Sequence, residues 1–173
     1  FVQIGVPSRT HIEDYMQVVN RIESRTMEIN AKHGTDGWEP VIFLKGQQNF
    51  DELVPFYKMA DLCIVSSLHD GMNLVAKEFI AASDNDKGVL ILSHFTGAAR
   101  ELEQALMVNP YDTEPFMEAI HHALVMSPEE QKTRMERMRI TVAENNIYTW
   151  AQAILNDVVR LAEDSQIGSG SGS

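Results

Sequence analysis

Short apolar runs alternate with longer amphipathic stretches along the whole chain. The runs at 41–44, 62–65, 89–92 and 105–108 are apolar throughout, that at 1–6 is apolar but for Gln3, and turn residues such as Pro, Gly, Asn or Ser flank them, the pattern of strands buried on both faces. Between the first two, Thr10 and Glu13 form a capping-box spacing, and Ile12, Tyr15, Met16, Val19, Ile22 and Ile29 recur at helical period up to Gly34. A second helix is predicted to begin near Asn49 or Asp51, because Pro55 is tolerated only in a first turn. Further helices are predicted over 72–83, 98–104 and 114–125, the last with Phe116, Ile120, Ala123 and Leu124 as its apolar positions. Ser127 as cap and Pro128 at the first helical position open a long helix to about residue 145, and a final one covers 150–162.

Apolar strands alternating with helices predict an α/β architecture, a Rossmann-like three-layer parallel sheet of about five strands joined by right-handed crossovers. In such sheets ligands lie beyond the carboxyl ends of the strands. Four connections are expected there: Pro7-Ser8-Arg9, Gly46-Gln47, the turn 66–72 and the turn 93–97. The turn 66–72 is the most informative, since it passes straight into a helix. The first amides of a helix lack internal partners and carry partial positive charge, so an anion can bind there without a basic side chain. Asp70-Gly71 suits a tight turn through glycine's freedom, and Glu78 lies about one turn into the helix.

Composition narrows the class. With 173 residues, 44% of them hydrophobic, the chain can bury one ordinary domain, assigned to 1–165; Gly-Ser repeats make 166–173 a flexible linker or tag. A net charge of −11 spread along the chain argues against nucleic acid and anionic membranes as partners, and an anion must then be held by local groups. The lone Cys63 excludes an internal disulfide; with no signal peptide visible, a cytoplasmic setting is expected. Cys63 reads as a small core residue and the nine methionines as core filler.

Several chemistries lose their usual supports. There is no Gly-Lys-Ser/Thr phosphate loop, no three-glycine dinucleotide fingerprint and no Gly-x-Ser-x-Gly nucleophile pattern. The adjacent His121 and His122 point in different directions on a helix, so no metal is expected. Taken singly, Asp70-Gly71-Met72-Asn73 is an ordinary turn and Glu78 and Arg9 are ordinary surface charges; their convergence on one sheet edge singles them out.

Three longer segments are specific. Asp70 to Phe79 reads DGMNLVAKEF, 88–102 reads GVLILSHFTGAAREL, and 105–112 reads ALMVNPYD. In this order they closely resemble the trehalose-6-phosphate synthases, family 20 glycosyltransferases of the GT-B fold, over about 2–162. The resemblance implies a retaining transfer of glucose from UDP-glucose to glucose 6-phosphate, with this chain as most of the C-terminal, donor-binding domain. It implies that Asp70, Gly71 and the backbone of Met72 and Asn73 hold the donor glucose. The Leu74 and Val75 amides would meet the diphosphate, Glu78 the ribose, and Arg9 the acceptor phosphate. UDP-glucose enters as substrate, and no cofactor is implied.

The resemblance also sets expectations about what is missing. His69 stands where many members carry Arg, and Lys45-Gly46-Gln47 is not the commonest form of its loop. A family segment, Arg-Leu-Asp-Tyr-x-Lys-Gly, would precede Val2 and carry the domain's first, central strand. Without it the strands at 1–6 and 62–65 lose the neighbour between them. A rearranged sheet, a complementing chain, self-association or a closure using the tail is then expected, and the chain alone should be inactive. Two alternatives stay open: a glycerol 3-phosphate acceptor, and an engineered structural or fusion scaffold without ligand function.

Overall fold

The computed structural model describes residues 1–5, 13–83 and 87–145, and beyond them Thr149, Gln152, Leu155, Asn156, Val158 and Arg160, which are helical. The Pro7-Ser8-Arg9 loop, the Thr10 cap, the tail and most of the predicted last helix lie outside the described residues. The elements follow the predicted alternation: β1 (Val2–Gly5), α1 (Glu13–His33), β2 (Ile42–Lys45), α2 (Phe50–Met59), β3 (Leu62–Val65), α3 (Leu74–Ala82), β4 (Val89–Ser93), β5 (Leu106–Val108), α4 (Thr113–Val125) and α5 (Pro128–Glu144). The chain divides into two compact units, Phe1–Leu53 and Val54 onward.

In the first unit β1 and β2 form a parallel pair, Val2 opposite Ile42 and Gly5 opposite Lys45. The Asn30 side chain closes this pair against α1. Its Nδ2 donates to the Val41 carbonyl at 2.8 Å, while its Oδ1 accepts from the Val41 amide at 3.0 Å. Lys45 on β2 pairs with Glu23 on α1. No described residue of this unit is fully buried: Val19 and Ile22 are half-buried, and Tyr15, Met16 and Ile29, predicted to face a core, are exposed. Two strands offer too little surface to cover a helix of 21 residues.

The second unit holds the core. β3, β4 and β5 form a parallel sheet in that order, with Cys63 opposite Leu90 and Leu92 opposite Met107. The central β4 is buried at every position, as its unbroken apolar run requires. Val89 and Ile91 pack with Val108, Ala123 and Met126, and so face α4. The alternate residues Leu90 and Leu92 belong to the opposite face, that of α3 and α5, whose Phe79, Ile80, Met135 and Met138 are buried. This is helix on sheet on helix.

All five predicted strands are present and parallel, but in sheets of two and three. β1 and β3, the strands expected to lack a neighbour, are each paired on one side only among the described residues. Four local expectations change. The helix predicted over 98–104 is a single 3-10 turn, Gly97–Arg100, because the 94–105 connection is near the shortest that can join neighbouring parallel strands. Pro55 sits inside α2, beyond its first turn. Leu124 is exposed, and of the methionines Met126, Met135 and Met138 are core while Met16, Met27, Met59, Met72 and Met117 are not.

Candidate functional site

The turn after β3 is built by two side chains. Asp70 Oδ1 accepts from the amides of Met72 at 3.1 Å and Asn73 at 2.9 Å, and its Oδ2 accepts from Asn73 Nδ2 at 3.0 Å. Asn73 then caps α3, its Oδ1 accepting from the Ala76 amide at 2.9 Å. The residue in the left-handed region is Asn73, at φ 63°, and not Gly71 as the sequence suggested. Asparagine tolerates that region better than most side chains, and here bonds at both ends of its amide hold it there. Gly71 is exposed, and a Cβ on it would meet nothing within 4 Å.

The turn after β4 braces the first. The Asp70 amide donates to the Phe95 carbonyl at 3.2 Å, Gly97 donates to the Asp70 carbonyl at 3.0 Å, and Ala98 donates to that of Met72 at 3.0 Å. A Cβ on Gly97 would lie 2.0 Å from the Gly71 carbonyl oxygen, so only glycine allows the two loops to touch. Within its own loop, Ser93 Oγ accepts from the Phe95 amide at 3.1 Å and Thr96 Oγ1 donates to the Ser93 carbonyl at 3.0 Å. Ser93 and Thr96 are buried, and these bonds satisfy them.

These two loops present the start of α3. Leu74 and Val75 are its first two residues and are exposed, and their N–H groups precede any helical carbonyl partner. Lys77, one turn in, pairs with Glu101 at 2.8 Å. Glu78 is half-buried and accepts from the Tyr57 hydroxyl at 3.1 Å, from Tyr57 on α2 to Oε2. Tyr57 is buried and packs edge-on against Phe79, ring centroids 6.3 Å apart. Sequence reasoning missed this residue, because an aromatic at a helical core position carries no sign of what its hydroxyl will reach.

Electrostatics follow the geometry. Partial burial opposes the charge on Asp70, but the Asn73 side chain, the Met72 and Asn73 amides and nearby His69 outweigh it and hold the carboxyl below the ordinary aspartate range. Burial, and then Glu78, push the Tyr57 hydroxyl well above its usual value, so it stays a donor. Burial pushes the Cys63 thiol up to about 12, which leaves it protonated and unreactive.

Of the other predicted loops, Arg9 lies outside the described residues, and Gly46, at φ 126°, ends β2 in the first unit. That unit also carries an open groove of about 750 Å³ between α1 and β2, lined among others by Glu23, Met27, Asn30, Trp38 and Ile42. It contains none of the residues that the resemblance places on the donor or the acceptor. Among the described residues, no three His, Cys, Asp or Glu side chains come together as a metal site, and no helix is long and apolar enough to cross a membrane.

Comparison with known proteins gives the family. The model of glycosyltransferase family 20 matches residues 1–160, and the chain belongs to that family. It is 42% identical over 165 residues to the UDP-forming alpha,alpha-trehalose-phosphate synthase of Botryotinia fuckeliana, covering 94% of this chain and 31% of that protein. Among solved structures, one from E. coli bound with UDP-2-fluoro glucose is 38% identical with a TM-score of 0.85, over 90% of this chain and 35% of the other. An alpha,alpha-trehalose-phosphate synthase from Burkholderia xenovorans in complex with glucose-6-phosphate is 36% identical with a TM-score of 0.86, over 91% of this chain and 35% of the other. The fold is therefore that of part of a GT-B glycosyltransferase. The chain spans about a third of the length of the curated relatives it matches.

Proposed function

We propose that this chain is the UDP-glucose-binding part of a retaining glucosyltransferase that makes trehalose 6-phosphate from UDP-glucose and glucose 6-phosphate. The observation that carries the reading is the start of α3, where Leu74 and Val75 are exposed residues whose amides precede any helical carbonyl partner, set beside Asp70 by a turn that the neighbouring loop fixes from behind. Charge builds on the diphosphate as the glycosidic bond breaks, and amides held in place beforehand stabilise it without reorganising. Asp70, Gly71, Met72 and Asn73 face the donor glucose in this reading, Glu78 the ribose, and Arg9 the acceptor phosphate.

Its support is the similarity of the chain to proteins whose structures hold a UDP-glucose analogue or glucose 6-phosphate. Gly71 adds to it, since neither its backbone angle nor its packing calls for glycine, while a ligand passing close to the turn would. The chain alone is expected to transfer no glucose, because it spans only part of its relatives. The test is titration with UDP and UDP-glucose while following amide resonances. Met72 to Val75 should shift, and Glu78→Ala should weaken the response; unmoved resonances at millimolar nucleotide would refute the reading.

A second reading, that of a structural or fusion module without ligand function, draws on the one-sided pairing of β1 and β3. A stable oligomer in solution that ignores UDP would favour it.

A further inference from the structure

We propose that Tyr57 is a positioning residue for Glu78: by donating its hydroxyl hydrogen to Oε2, it turns the carboxylate so that the remaining acceptor positions meet the two hydroxyls of a nucleotide ribose. The inference rests on the donor reading of Glu78 and names the group that orients it.

The geometry separates the role of the ring from that of the hydroxyl. Tyr57 is 8% exposed and its ring lies edge-on to Phe79, so packing alone would be served by phenylalanine. A hydroxyl taken out of water is unfavourable without a partner, and the partner here is the side chain placed on the ligand. Glu78 projects from the first turns of α3 on a chain with three rotatable bonds. Left unheld, it would lose that freedom each time a ligand bound. Tyr57 removes part of the loss in advance, and a carboxylate that has accepted one bond still has room for two more. Burial, and then Glu78, push the phenol well above its usual value, so the hydroxyl is a donor at neutral pH.

A purely structural role predicts something different, namely that loss of the hydroxyl affects every ligand alike. The experiment compares UDP with its 2′,3′-dideoxy counterpart, binding measured by calorimetry on the full chain. Tyr57→Phe is expected to weaken UDP about fivefold, to leave the dideoxy nucleotide unchanged, and to add nothing in a Glu78→Ala background. Equal weakening of both nucleotides, as from a general loosening of the chain, would overturn the inference. So would UDP binding that Glu78→Ala weakens and Tyr57→Phe does not, an outcome that leaves the donor reading standing. Failure of the unaltered chain to bind UDP would overturn both.

Discussion

Asn73 does three things with one amide group. It accepts from Ala76, donates to Asp70, and by these bonds stays at φ 63°, where most side chains are strained. Replacing it with alanine should therefore cost about 2 kcal/mol, more than an ordinary cap, in urea denaturation. Asp70 makes the same structure pH-dependent. Its carboxyl is depressed in the folded chain, so its contribution is fully present above the unfolded value, about 3.9, and is lost as pH falls through the lower folded value. Asp70→Asn should flatten stability against pH in that acid window, read from melting temperatures. Gly97→Ala forces a methyl group against the Gly71 carbonyl and should cost about 3 kcal/mol, or displace the turn. A turn at Asp70 opening a helix was legible, although taken singly the segment reads as an ordinary turn. The left-handed residue was not: sequence favours Gly71, and only the bonds to Asn73 decide the matter.

Elements were legible where local chemistry agreed with the tertiary fold. Ser127 accepts from the Glu130 amide at 3.2 Å with Pro128 following, as predicted, and Ser127→Ala should cost about 1 kcal/mol by thermal melting. Asn49 and Glu52 exchange side-chain bonds at the start of α2, at 3.0 and 2.9 Å. That reciprocal cap sets the start of the helix at Phe50. The 98–104 segment misled because its composition, rich in Ala, Glu and Leu, favours helix. The short crossover between β4 and β5 leaves room for one 3-10 turn, and Ala98 and Leu102 are buried by it. Helix α1 shows the opposite error, where a good amphipathic pattern had no surface to cover. Its period was read correctly, but burial depends on how many strands stand opposite.

At the scale of the whole molecule, the parallel α/β class and five strands were legible, and the division into sheets of two and three was only foreshadowed by the expected gap between β1 and β3. Stability should be uneven as a result. The β4 amides, buried and bonded on both sides, are expected to exchange with deuterium slowest. Those of β1, β2 and α1 should exchange faster through local opening, since nothing described in their unit is fully buried. Equal protection across the chain would show that the two units unfold together.

The contact between Gly97 and the Gly71 carbonyl has a consequence for inheritance and for engineering. The turn proposed to face the donor cannot be exchanged between relatives as one continuous segment. Its shape is written partly in a second stretch of chain, Ser93 to Ala98, so a transplanted 66–78 loop keeps its form only if its remote companion travels with it.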